Sequence, residues 1–146
     1  MDTFNIQKLI YSKNKSKLIE FVSNTNSEEE LFILINNYNW DDGFEIPKAV
    51  LDNKNCTLNV ALLTFFLADG ITYLFNKDSN PNLPDWKNFI SELYNRIINN
   101  YYTVGLVAFS NDLSKIEKYK LSKIINEKEK IILSEFDGTD CNILLN

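Results

Sequence analysis

The sequence predicts an all-α domain: a compact bundle of six or seven helices around one buried helix at about 57–69. Three observations predict it. Residues 57–70 run without a charge for twelve positions and then stop at Asp69-Gly70. Within that run Leu58, Ala61, Leu62, Phe65 and Phe66 mark one helical face, and Val60, Leu63, Leu67 and Ala68 cover most of the rest. A helix apolar nearly all round is a buried one. Helical spacing also recurs on either side of it, in Leu18, Ile19 and Val22 and in Trp86, Phe89, Ile90, Leu93, Ile97 and Ile98. Finally, 45% apolar and 13% aromatic content is too rich for a disordered chain. A length of 146 residues suits a single helical domain, residues 1–146, with room for a sizeable core.

Residues 3–11 and 15–23 read as two short amphipathic helices. Ser27 caps the next, with Glu28, Glu29 and Glu30 in its first turn and Glu30 placed to close a capping box. That helix continues through Leu31, Ile33, Leu34 and Ile35 to Tyr38. Asn39-Trp40-Asp41-Asp42-Gly43-Phe44 reads as a turn, because Asn, Asp and Gly supply the bonds and backbone freedom a turn needs. Pro47 fits a first turn, so a short helix is expected from about Glu45 to Asp52. Asp42 and Glu45 have capping-box spacing there. Thr57 or Asn55 caps the central helix. After Gly70, residues 71–75 read as a further helical turn or two, and a polar loop follows from Asn76 to Leu83.

Pro84, Asp85 and Trp86 open a long helix to about Asn99. Residues 101–109 are β-prone and contain Gly105, which predicts an extended connection or a minor β pair. Asp112 is expected to cap a charged helix with an apolar stripe of Leu113, Ile116, Tyr119 or Lys120, and Ile124. The tail beyond it is the hardest part to read.

The chain has no histidine. That excludes Ser-His-Asp and Cys-His nucleophile systems and every histidine metal site. Two cysteines, Cys56 and Cys141, make no zinc site unaided, and no phosphate-binding glycine motif is present. No cofactor, metal site or catalytic residue is therefore assigned. With a net charge of −5, direct binding to nucleic acid is not expected. The N-terminus lacks a signal-peptide pattern and no stretch reads as a membrane span, so a reducing, cytoplasmic location is expected.

The charge is unevenly spread. Residues 27–53 hold Glu28, Glu29, Glu30, Asp41, Asp42, Glu45 and Asp52 against Lys48 alone, a local charge of −6. Trp40, Asp41, Asp42 and Glu45 become the candidate partner-binding residues: a large aromatic beside carboxylates is a natural anchor for a basic protein. The competing reading makes Trp40, Phe44 and Trp86 core or turn anchors and makes the acids helix caps. An enzymatic alternative would use Asp41, Asp42 or Asp69 with a metal or a sugar. A third reading is a helical scaffold or interaction module. Asp69 is also placed to accept a bond from the 39–43 turn or from the Trp40 indole.

The string Asn37-Tyr38-Asn39-Trp40-Asp41-Asp42-Gly43-Phe44-Glu45-Ile46-Pro47 resembles a bacterial family known as domain of unknown function 4274. The resemblance continues through Asn53-Lys54-Asn55-Cys56-Thr57-Leu58 and Ala61-Leu62 to Phe66-Leu67-Ala68-Asp69-Gly70, covering roughly residues 28–76. It implies no activity and no catalytic residues. In size and charge the chain is also similar to the immunity proteins that accompany bacterial toxins. The leading expectation is accordingly a non-catalytic inhibitor or immunity-type protein that neutralises a basic toxin or nuclease.

Overall fold

The computed structural model describes residues 3–78 and 83–145. They form eight α-helices: α1 (Thr3–Ser12), α2 (Lys15–Asn24), α3 (Glu28–Asn36), α4 (Glu45–Asp52), α5 (Leu58–Leu67), α6 (Gly70–Phe75), α7 (Pro84–Ile98) and α8 (Lys115–Ile124). Two 3-10 helices, Trp40–Asp42 and Lys128–Leu133, complete the secondary structure. The fold is an all-α bundle. Its helix count exceeds the expected six or seven because Gly70–Phe75 is a helix in its own right. Asp69, in the left-handed conformation at φ 65°, breaks it from α5.

α5 is the centre. Its residues from Leu58 to Phe65 are all buried, and it packs against α3, α7, α4 and α6. Each large apolar side chain buried there contributes about 1.5–3 kcal/mol. Two polar residues lie inside it. Thr64 donates its hydroxyl back to the Val60 carbonyl at 2.8 Å. Asn59 is fully buried; its amide nitrogen donates to the Val107 carbonyl at 2.5 Å and its oxygen accepts from the Gly105 amide at 2.8 Å. Thr57 caps α5, and the Leu58 amide donates to the Thr103 carbonyl at 2.7 Å.

These bonds explain the β-prone stretch. Residues 103–107 run along the start of α5 and bond Leu58 and Asn59 through their backbone. Only two isolated bridges appear among the described residues, Val107 with Thr139 and Phe109 with Phe136. No strand forms there.

Three capping expectations change. Ser27 accepts the Glu30 amide at 3.2 Å, but the Glu30 carboxylate accepts from the Thr25 hydroxyl, which in turn accepts the Ser27 amide. The box is closed through Thr25. Asp42 and Glu45 form no box: α4 begins at Glu45, after Phe44, with no side-chain cap. Ser114, rather than Asp112, caps α8, in a reciprocal box with Glu117. α3 also stops before Tyr38, with Asn37 at its C-cap, and the Asn37 side chain ties the helix end to the tail. It donates to the Ile143 carbonyl at 2.8 Å and accepts from the Leu145 amide at 2.8 Å.

The predicted stripe of α8 faces outward. Leu121 is its one buried residue, while Ile116, Tyr119 and Ile124 are exposed. The core-facing position is set by Leu121 alone, and four lysines share the outer surface with those apolar residues.

Candidate functional site

The Asn39–Phe44 turn (residues 39–44) is built on its own sequence. Asn39 accepts the Asp41 amide at 3.1 Å and starts the 3-10 helix. Gly43 ends it at φ 93°, a conformation that excludes most side chains. The Tyr38 hydroxyl donates to the Gly43 carbonyl at 2.7 Å and ties the two ends together. Burial, with Asp42 and Glu45 nearby, pushes that hydroxyl up to about 12, so it stays a donor through the neutral range.

Trp40 is half-buried and held by rings. Tyr38 meets it edge-on at 5.3 Å between centroids, and Phe89 of α7 does so at 6.2 Å. Phe44 stacks on Phe89 at 4.8 Å. Trp40 thus packs inward as an anchor of the turn itself, and the outer side of the turn carries the acids. Asp41, Asp42 and Glu45 are exposed. Asp41 and Asp42 form no hydrogen bond or ion pair through their side chains among the described residues. Glu45 lies 3.4 Å from the Lys15 ammonium.

Much of the remaining acidic charge in residues 27–53 is committed within the fold. Glu28 accepts from the Thr57 hydroxyl at 2.6 Å and from the Leu106 amide at 2.9 Å. Glu30 accepts from Thr25 at 2.6 Å, and Asp52 pairs with Arg96 at 2.9 Å. Of the seven acids in this segment, Asp41 and Asp42 on the turn and Glu29 on α3 are left without a hydrogen bond or ion pair among the described residues.

Two clefts flank this turn. One, of about 350 Å³, has Asp42 on its wall together with Lys13, Lys15, Tyr11 and Tyr38 over an apolar floor. The other, of about 260 Å³, lies between Trp40, Phe44, Leu67, Asp69 and Trp86. Asp42 and Asp69, candidates for the same acid–base role, line different clefts. Asp69 accepts from the Thr72 hydroxyl at 2.8 Å, so its bond is neither to the 39–43 turn nor to the Trp40 indole. The indole in that region that donates inward is Trp86, to the Ala68 carbonyl at 2.7 Å. Among the described residues no three Cys, Asp or Glu side chains gather as metal ligands would.

The family model described as Domain of unknown function (DUF4274) matches residues 26–98, half of the chain. The chain belongs to that family. The match runs from the start of α3 to the end of α7, so it contains the acidic turn, the central helix and both tryptophans. It extends beyond residues 28–76 to take in α7, which supplies Phe89 to the aromatic cluster around Trp40. No curated protein and no solved structure matches. No helix among the described residues is long and apolar enough to cross a membrane.

Proposed function

We propose that the protein is a non-catalytic, cytoplasmic binding domain that presents its 39–45 turn to a basic protein, as a small inhibitor or immunity-type protein would to a toxin or nuclease. One observation carries the reading. Asp41 and Asp42 project from a turn rigidified by Trp40, Tyr38 and Gly43, and neither carboxylate takes a hydrogen bond or ion pair among the described residues. Residues kept charged, exposed and unpaired on a preorganised turn suit electrostatic recognition, where rigidity lowers the cost of ordering and charge speeds encounter. Asp42 and Asp69 line different clefts and do not form one acid–base pair.

The test is a tagged capture from the native host, at low and moderate salt, with the wild type and an Asp41→Asn/Asp42→Asn variant in parallel. A stoichiometric basic partner held by the wild type, released by salt and weakened in the variant supports the reading. A partner held equally by both proteins at both salts rejects it.

A further inference from the structure

We infer that the cleft between Trp40 and Trp86 receives a lysine or arginine side chain of the partner, with Asp69 as its counter-charge; this rests on the basic-partner reading above. The chain has two tryptophans, and both line this one cleft. Each is fixed before any ligand arrives. Trp40 is braced by Tyr38 and Phe89. Trp86 is held by its bond to Ala68 and by Tyr73, edge-on at 6.4 Å. A volume of about 260 Å³ accommodates one long side chain.

The chemistry of the walls selects a cation. Indole faces attract a cation through their quadrupole, and a neighbouring carboxylate adds a full negative charge. Leu67 is 43% exposed at the end of α5, and it offers apolar surface to the aliphatic stem of a lysine or arginine. No lysine or arginine forms an ion pair with Asp69 among the described residues. Its position adds a second argument. At φ 65° the backbone is left-handed, where Gly or Asn fits at least as well, and Asp69 accepts no backbone amide. Asp69 sits at the N-cap of α6 with one bond from Thr72, and among the described residues no cation neutralises its charge. Asp41 and Asp42, on the turn that carries Trp40, extend the same sign of field towards the solvent.

The test is intrinsic tryptophan emission, titrated with short synthetic peptides of repeated Arg-Ala, repeated Lys-Ala and, as control, repeated Glu-Ala. The expected result is a saturable change with the basic peptides only, persisting in Trp40→Phe, where Trp86 alone reports. Asp69→Asn should weaken this binding by about tenfold, the loss of one partly desolvated charge pair. Its melting temperature should stay that of the wild type, since Asn keeps both the left-handed backbone and the bond from Thr72. Two outcomes overturn the inference. One is an Asp69→Asn protein that binds like the wild type while Asp41→Asn/Asp42→Asn binds more weakly, which leaves the turn as the acidic site and empties the cleft of its role. The other is wild-type emission that responds alike to Arg-Ala and Glu-Ala peptides. In either case the basic-partner reading is judged by the capture experiment alone.

Discussion

Gly105 and Glu28 occupy one another's space: a methyl group on the Gly105 α-carbon would overlap the Glu28 carboxylate. The contact is tight because that carboxylate reaches over the glycine to the Leu106 amide while its other oxygen holds Thr57. It thereby joins the first turn of α3, the cap of α5 and the extended 103–107 segment. Gly105→Ala should cost about 2 kcal/mol, the usual scale of overpacking against backbone-anchored atoms. Glu28→Ala should recover part of that loss, so the two substitutions should be non-additive by more than about 0.5 kcal/mol. Urea unfolding of the two single variants and the double variant measures it; strict additivity would show that the contact is slack.

Glu129 is a buried carboxylate in the 3-10 helix Lys128–Leu133, reached by the Lys77 ammonium at 2.5 Å, the Tyr94 hydroxyl and the Asn126 amide at 3.0 Å. Burial alone would raise its pKa, but the bonds from Lys77, Tyr94 and Asn126 outweigh that and hold it below the usual carboxylate range. A group depressed in this way adds stability above its unfolded pKa of about 4.3 and loses it as pH falls through the lower folded value. Glu129→Gln should therefore cost about 2 kcal/mol at pH 7, and the deficit should shrink as the medium is acidified below about pH 4. Thermal melts of both proteins across that range give the comparison; a deficit constant with pH would contradict it.

α8 hangs on one side chain. Leu121→Ala should abolish amide protection across residues 115–124 while leaving α5 and α7 protected, since local opening sets the ceiling on the loss. Hydrogen exchange resolved by residue tests this. Protection lost throughout the chain would mean that α8 belongs to the cooperative core.

Asp41→Asn/Asp42→Asn should leave the unfolding free energy within about 0.5 kcal/mol of the wild type, because neither carboxylate is bonded within the fold. A larger loss in denaturant titration would reassign these acids to stability.

Much of the architecture could be read from local pattern. The uncharged run from Leu58 to Phe65 located the core, and Pro47, Pro84 and Thr57 marked helix starts, because these effects act within a few residues. What could not be read depends on neighbours distant in sequence. Glu28 looked like a first-turn acid, yet it serves residues 57 and 106. Asn59 carries no signal in the sequence, yet it is the bracket for residues 105–107. The stripe of α8 had the right period and the wrong orientation, because periodicity does not say which side a bundle lies on. Trp40, Asp69 and Trp86 each stood out singly, and only the folding of α7 against the turn brings them to one cleft.

The two cysteines are both free and both buried, Cys56 just before α5 and Cys141 in the tail that Asn37 ties down. Burial, with Glu29 and Glu28 nearby, pushes the Cys141 thiol up to about 11, and Cys56 is raised further still. At neutral pH both are protonated and shielded, so neither reacts until its own surroundings part. The molecule consequently contains two internal stopwatches. An alkylating reagent would time release of the tail at one thiol and dissolution of the core at the other, in the unmodified protein and without any added label.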